Sequence, residues 1–170
     1  MRKKIRLNVP MTISWDHKSN RKHFLKHLIS INNFSTVLEI GVRDGRTTFH
    51  LLDTCPTIKN YTAIDKDISL FYNKEIAKKY TKLNPIQGYS NLVHTQIKDA
   101  YFDLIFIDAD HSYSAVKQDI INYQPKLKPG GILSGHDIDF PGVNQAVNEM
   151  LDQYDVGPNN VWFTREIGKH

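Results

Sequence analysis

Two clusters of carboxylates and imidazoles stand at the ends of apolar runs. "FDLIFIDADH" (Phe102 to His111) closes on Asp108, Asp110 and His111, and "GGILSGHDIDF" (Gly130 to Phe140) brings His136, Asp137 and Asp139 together. A carboxylate beside an imidazole orients the ring and raises its proton affinity, which makes His111 and His136 candidate general bases. Clustered carboxylate oxygens also suit a hard divalent cation such as magnesium, and a bound cation lowers the pKa of a hydroxyl. Either device would take the proton from an alcohol.

A second set of residues points to a nucleotide-type ligand. "VLEIGVRDGRTT" (Val37 to Thr48) reads as a buried strand, a turn carrying Gly41 and Gly45, and a helix that starts near Arg46 and Thr47. Glycines there let the backbone pass close to a ligand without a Cβ in the way. The next strand, "YTAID", stops on Asp65, spaced to bond the two ribose hydroxyls of an adenosine group. Glu39, two residues before the first glycine, sets a local field that favours an ammonium or sulfonium cation over pyrophosphate. That argues against a nicotinamide-dependent oxidoreductase, whose turn should read G-x-G-x-x-G where this chain has "GVRDGR".

Such residues converge only if the strands lie side by side in one sheet. The chain of 170 residues, with 40% hydrophobic and 24% charged content, suits a single domain. Strands are expected at Thr36 to Gly41, Tyr61 to Asp65, Asn84 to Gln87, Phe102 to Asp108 and Gly131 to Ser134, with one more in "VWFTREI" near the end. Helices are expected around Thr47 to Asp53, Ser69 to Tyr80, Asn91 to Ile97, Ser112 to Leu127 and Val143 to Asp155. A leading helix capped by Ser19 carries Phe24, Leu25, Leu28 and Ile29 at helical spacing. Pro129 in "LKPGG" is expected to stop the helix before it. Residues 1–34 form a basic segment and leading helix, a candidate lid, and residues 35–170 the main domain. The basic stretch "HKSNRKHFLKH" reads as a solvated helix face, because Phe24 is its one Phe, Tyr or Trp, where a nucleic-acid stacking platform would interleave several. No apolar run approaches the roughly 18 residues that span a bilayer, and no secretory signal follows the basic start, so the expected location is cytoplasmic. Cys55 stands alone and offers neither a disulfide nor a cysteine zinc cluster.

From about Phe34 onward the chain resembles the class I S-adenosylmethionine-dependent methyltransferases. "VLEIGVRDGRTT" is similar to their glycine motif, Asp65 to their ribose acid, "FDLIFIDADH" to their fourth-strand motif and "LKPGGILSGHD" to the strand after it. "DADHSYSAVKQD" with "GGILSGHD" is similar to the small O-methyltransferases, including catechol, caffeoyl-coenzyme-A and sugar types. The resemblance implies an α/β fold: one Rossmann-like domain, its mostly parallel central sheet covered by helices on both faces. It implies S-adenosylmethionine as cofactor, held by Glu39, Gly41, Arg43, Gly45, Thr47, Asp65, Tyr89, Ser90 and Asp108. It implies catalysis by Asp108, His111 and His136, and, in the metal-dependent members, ligation by Asp108 and Asp137. Arg43 stands where many members have a glycine. Tyr89 in "QGYS" stands where an acid often meets the adenine amino group. The usual third metal ligand, an asparagine after the second aspartate, is Ile138 here, so Asp110, Asp139 or water would complete the shell.

The expected acceptor is a hydroxyl of a sugar, a glycan or another small molecule. Tyr113 and Phe140 could flank its ring, and a homodimer could complete the pocket wall. A module that binds the cofactor without turnover is the alternative, against which the retained acids and histidines speak. DNA-base chemistry lacks its parts: Asp108 to Asp110 hold no cysteine nucleophile, and no Pro-Pro occurs.

Overall fold

The computed structural model describes residues 20–164. Strands β1 (Thr36–Ile40), β2 (Asn60–Asp65), β3 (Leu83–Gln87), β4 (Phe102–Ile107), β5 (Leu127–Gly135), β6 (Asp155–Val156) and β7 (Trp162–Phe163) form one sheet in the order β3-β2-β1-β4-β5-β7-β6. The first five are parallel, and β7 runs antiparallel to both β5 and β6. The chain builds outward from β1 to β3, then returns to lay β4 on the other side of β1. That reversal opens a crevice at the carboxyl ends of β1 and β4, where an open α/β sheet binds its ligands.

Strand β1 is buried at every position, as a strand covered on both faces should be. On one face Val37, Leu104 and Phe106 pack with α1 (Arg21–Ile31) and α2 (Arg46–Thr54); on the other Leu38, Ile40, Ile105 and Ile107 pack with α5 (Tyr113–Tyr123) and α6 (Pro141–Met150). Two short helices, α3 (Lys74–Lys79) and α4 (Ser90–Val93), flank β3. The leading helix is part of this core: Phe24, Leu25, Leu28 and Ile29 are all buried. It starts after Asn20, and Ser19 lies outside the described residues.

Several element boundaries differ from expectation for local reasons. The helix expected over 69–80 is broken, because Phe71 turns into the core and Asn73 then caps α3, its side-chain oxygen accepting from the amides of Glu75 and Ile76 at 3.0 Å each. The segment expected as a helix over 91–97 is α4 followed by a 3₁₀ turn at His94–Gln96. Helix α5 ends at Tyr123, since Pro125, rather than Pro129, interrupts it. "LKPGG" therefore lies in β5, which pairs with β4 through an irregular register between Phe102 and Leu104. Helix α6 ends at Met150, and the chain after it forms two strands where one was expected. Residues 165–167 of "VWFTREI" lie outside the described residues.

Away from the crevice, Asp103 ties β4 to the start of β1. Its Oδ2 accepts from the amides of Ser35 at 2.8 Å and Thr36 at 2.9 Å, while Lys128 donates to Oδ1 at 2.9 Å. Burial pushes its carboxyl up, but the Lys128 ammonium and the Ser35 and Thr36 donors overcome that and hold it at about 2. Such a group adds stability above its unfolded pKa of about 4, and the gain disappears as pH falls toward 2. Asp103→Ala should lower unfolding free energy by about 1.5–3 kcal/mol at neutral pH. Urea titrations should show that deficit shrinking between pH 4 and the folded-state value; a deficit independent of pH would contradict the clamp.

Candidate active site

The turn after β1 is shaped by where β1 and β4 meet. The amide of Asp108 donates to the carbonyl of Ile40 at 2.8 Å, and Gly41, at φ +84°, lies so close that a Cβ would sit 2.3 Å from the carbonyl oxygen of Asp108. Only glycine fits there. Arg43, at the position where glycine is common in the resembling family, adopts φ +59°, a left-handed conformation that costs a non-glycine residue about 1–2 kcal/mol. The amides of Val42 and Arg43 both donate to Asp65 Oδ2 at 2.8 Å, and the amide of Asp67 donates to Oδ1 at 3.0 Å, which offsets that strain. Asp65 is thus the clamp of the turn as well as the acid at the tip of β2.

Glu39 lies beneath the turn and is 2% exposed. Its Oε2 accepts from the hydroxyls of Thr48 and, at 2.6 Å, Tyr61. Burial raises its pKa to about 7, against the lowering effect of those two hydroxyls. Its side chain braces α2 and β2 from inside, so any influence on a ligand must act through its field.

At the ends of β4 and β5 the two acid-histidine clusters converge. Asp137 Oδ1 is 2.9 Å from His136 Nδ1, and its Oδ2 is 2.9 Å from His111 Nε2; His136 Nδ1 is also 3.6 Å from Asp108 Oδ1. These contacts have ion-pair distances but not the alignment of hydrogen bonds, and both His136 ring nitrogens are buried without a hydrogen-bond partner. Asp137 holds its place with φ +57°, a strained conformation of the kind that gathers at functional sites. Burial pushes the Asp108 carboxyl up and Asp137 adds to it, while Arg21 and His136 oppose. Ligand atoms of Asp108, His111 and Asp137 all lie within 4.8 Å of one another, a mixed oxygen and nitrogen set that fits a divalent cation. His111 therefore joins the two aspartates. Asp110 instead accepts from the amide of Ser112 at 2.7 Å at the start of α5, and Ile138 is buried among apolar residues.

Toward β3, Tyr89 is exposed and Ser90 opens α4. Ser90 bonds to Asp119, a buried acid of α5 whose pKa burial raises to about 6. Asp119 was not anticipated, although an acid within the apolar spacing Val116, Ile120, Tyr123 was a readable signal. Phe140 packs its ring 4.9 Å from that of His111, while the Tyr113 hydroxyl is engaged by Glu149. Arg21 was missed too. Rather than joining a solvated face, its Nη1 pairs with Asp108 Oδ2 at 2.9 Å and its Nε donates to Thr47 Oγ1 at 3.3 Å. Nothing in the basic stretch distinguished it from its neighbours.

Residues 38–138, more than half of the chain, match the family described as "Methyltransferase domain", and the chain belongs to that family. With the Rossmann-like sheet and the glycine turn, this makes it an S-adenosylmethionine-dependent methyltransferase of class I. No curated protein matches the chain. Among solved structures it is similar to a Staphylococcus aureus protein described as a caffeoyl-CoA O-methyltransferase, at 20% identity and TM-score 0.68, covering 84% of this chain and 80% of that one. An O-methyltransferase from Bacillus cereus, solved with S-adenosylhomocysteine (SAH), matches at 20% identity and TM-score 0.65 over 89% and 84%. A TDP-rhamnose 3′-O-methyltransferase of calicheamicin biosynthesis matches at 17% identity and TM-score 0.67 over 88% and 82%. Among the described residues no helix is long and apolar enough to cross a membrane.

Because the pKa of Glu39 is higher folded than unfolded, its contribution to stability is full below about 4.5 and is lost as pH rises through about 7. Glu39→Gln removes this dependence. The stability of the wild type should therefore fall relative to the variant by on the order of 3 kcal/mol across that interval. Parallel pH curves for the two proteins would show that folding leaves the carboxyl's pKa unshifted.

Proposed function

We propose that the protein transfers a methyl group from S-adenosylmethionine to a hydroxyl of a sugar, a glycan end or a similar small acceptor. The observation that carries this reading is the meeting of Asp108, His111, His136 and Asp137 beside the glycine turn, where cofactor and acceptor would face each other. The O-methyltransferase likenesses support the hydroxyl, and the sugar-modifying one supports the acceptor class.

The turn fits the cofactor. Gly41 lets the turn close onto β4 where any Cβ would strike the Asp108 carbonyl, Asp65 at the tip of β2 accepts one amide at Oδ1 and so would have lone pairs left for the ribose hydroxyls, and Thr47 stands in the first turn of α2. Gly45, Arg43, Tyr89 and Ser90 complete the proposed contacts, with Ser90 oriented by Asp119. When bound, S-adenosylmethionine supplies an already activated methyl group, so the protein's work is positioning and proton removal. Asp108, His111 and Asp137 would hold a divalent cation such as magnesium, which acidifies an acceptor hydroxyl. His136, its Nδ1 next to Asp137, would receive the proton that the acceptor hydroxyl loses. In the absence of a metal, His111 offers a second imidazole for the same task.

A screen of sugar and phenol acceptors with labelled cofactor should find transfer to a hydroxyl. Chelation should cut turnover and magnesium restore it, and Asp137→Ala should abolish metal binding by calorimetry. His136→Ala should slow transfer by about 10²- to 10⁴-fold with cofactor affinity little changed. Chelator-insensitive turnover that rises through a histidine-like pKa would select the base without the cation. Full activity of the Asp108, His111 and His136 variants and of chelated enzyme would place the chemistry elsewhere. Asp65→Ala should weaken SAH binding by about 1–3 kcal/mol, measured by calorimetry. Unchanged affinity would remove Asp65 from the cofactor site.

A further inference from the structure

Arg21 is the first residue of α1, and its guanidinium bridges the two walls of the crevice. Nη1 reaches Asp108 Oδ2 at the end of β4, and Nε reaches Thr47 Oγ1 in the first turn of α2. Helix α1 is seated by four buried apolar side chains, and the Arg21 amide lies 3.3 Å from Asn159 Oδ1. A rigid element therefore delivers the charge. About a third of the side chain remains exposed, so the ion pair with Asp108 contributes little stability by itself. Its place is better explained by recognition.

We propose that Arg21 and Thr47 bind the carboxylate of the cofactor's amino-acid end, with Asp108 facing its ammonium. This rests on the proposed cofactor site. A cofactor whose ribose lies at Asp65 on β2 and which runs along the strand ends toward Asp108 on β4 brings its amino-acid end over the β1 turn. There a zwitterion meets one cation with a hydroxyl and a carboxylate each already within hydrogen-bonding distance of it. A guanidinium has five donors in a fixed fork, and the two contacts described use Nε and Nη1, so Nη2 retains donors for a carboxylate. Lysine would keep the charge but lose the fork. The arrangement also gives the basic leading segment a role: α1 carries a cofactor contact, and its docking completes the site.

The test compares two probes by calorimetry: SAH, which has the amino-acid end, and 5′-methylthioadenosine, which lacks it. Arg21→Ala should weaken SAH by about ten- to a hundredfold, the range of a charged hydrogen bond, and leave methylthioadenosine within about twofold. Arg21→Lys, which keeps charge and stem and so guards against misfolding, should fall between alanine and wild type for SAH alone. Equal loss for both probes would assign Arg21 to general shape rather than to the carboxylate, and unchanged SAH affinity in both variants would overturn the proposal. Failure of the wild type to bind either probe would instead overturn the cofactor site on which it rests.

Discussion

The backbone contact between β1 and β4 governs this molecule's chemistry. The Asp108 amide is bonded to the Ile40 carbonyl, and Gly41 presses against the Asp108 carbonyl with no room for a methyl group. Because these strands are neighbours in space but far apart in sequence, their joined ends bring the glycine turn within reach of Asp108. β5 then adds His136 and Asp137 from its own end through the bond between the His136 amide and the Ile107 carbonyl. Three strand ends in register thus make one site.

Charges are distributed in depth around that junction. Glu39 is buried and braces α2 and β2 through hydroxyls, Asp119 is buried under Ser90, and Asp108 lies closer to the surface with Arg21 against it. Burial raises the pKa of all three carboxyls. Asp65 and Asp110 are held differently, by backbone amides of the turns they close. Carboxylates held by amides shape the backbone, whereas those in the crevice are left with oxygens for cations. That division is why Asp108 and Asp137, and not Asp110, join His111 in the candidate metal set.

Methyl transfer from an activated donor asks mainly for alignment and for the removal of one proton. The site is economical in that sense: a glycine-lined crevice, one arginine from a docked helix, and imidazoles supported by Asp137. The exposed Phe140 stands beside His111 as an apolar face next to the acid-histidine cluster, on the loop between β5 and α6.

Much of the fold was legible from local pattern. The apolar runs ending in Glu39-Ile40-Gly41, Asp65 and Asp108 announced parallel strands, and the turn chemistry of Gly41 and Gly45 announced the crevice, because period and glycine requirements are local properties. Helix ends were less legible. Asn73 and Pro125 carried the signals that mattered, but Phe71 breaks its segment only because the core has a place for its ring. The candidate metal set needed His111 and Asp137 at 2.9 Å, which depends on how β4 and β5 lie together. Arg21 and Asp119 belonged to the site only once α1 and α5 had docked, since their partners lie far away in sequence. Residue type and spacing determined the cofactor class, and long-range packing decided which side chains come together at the strand ends.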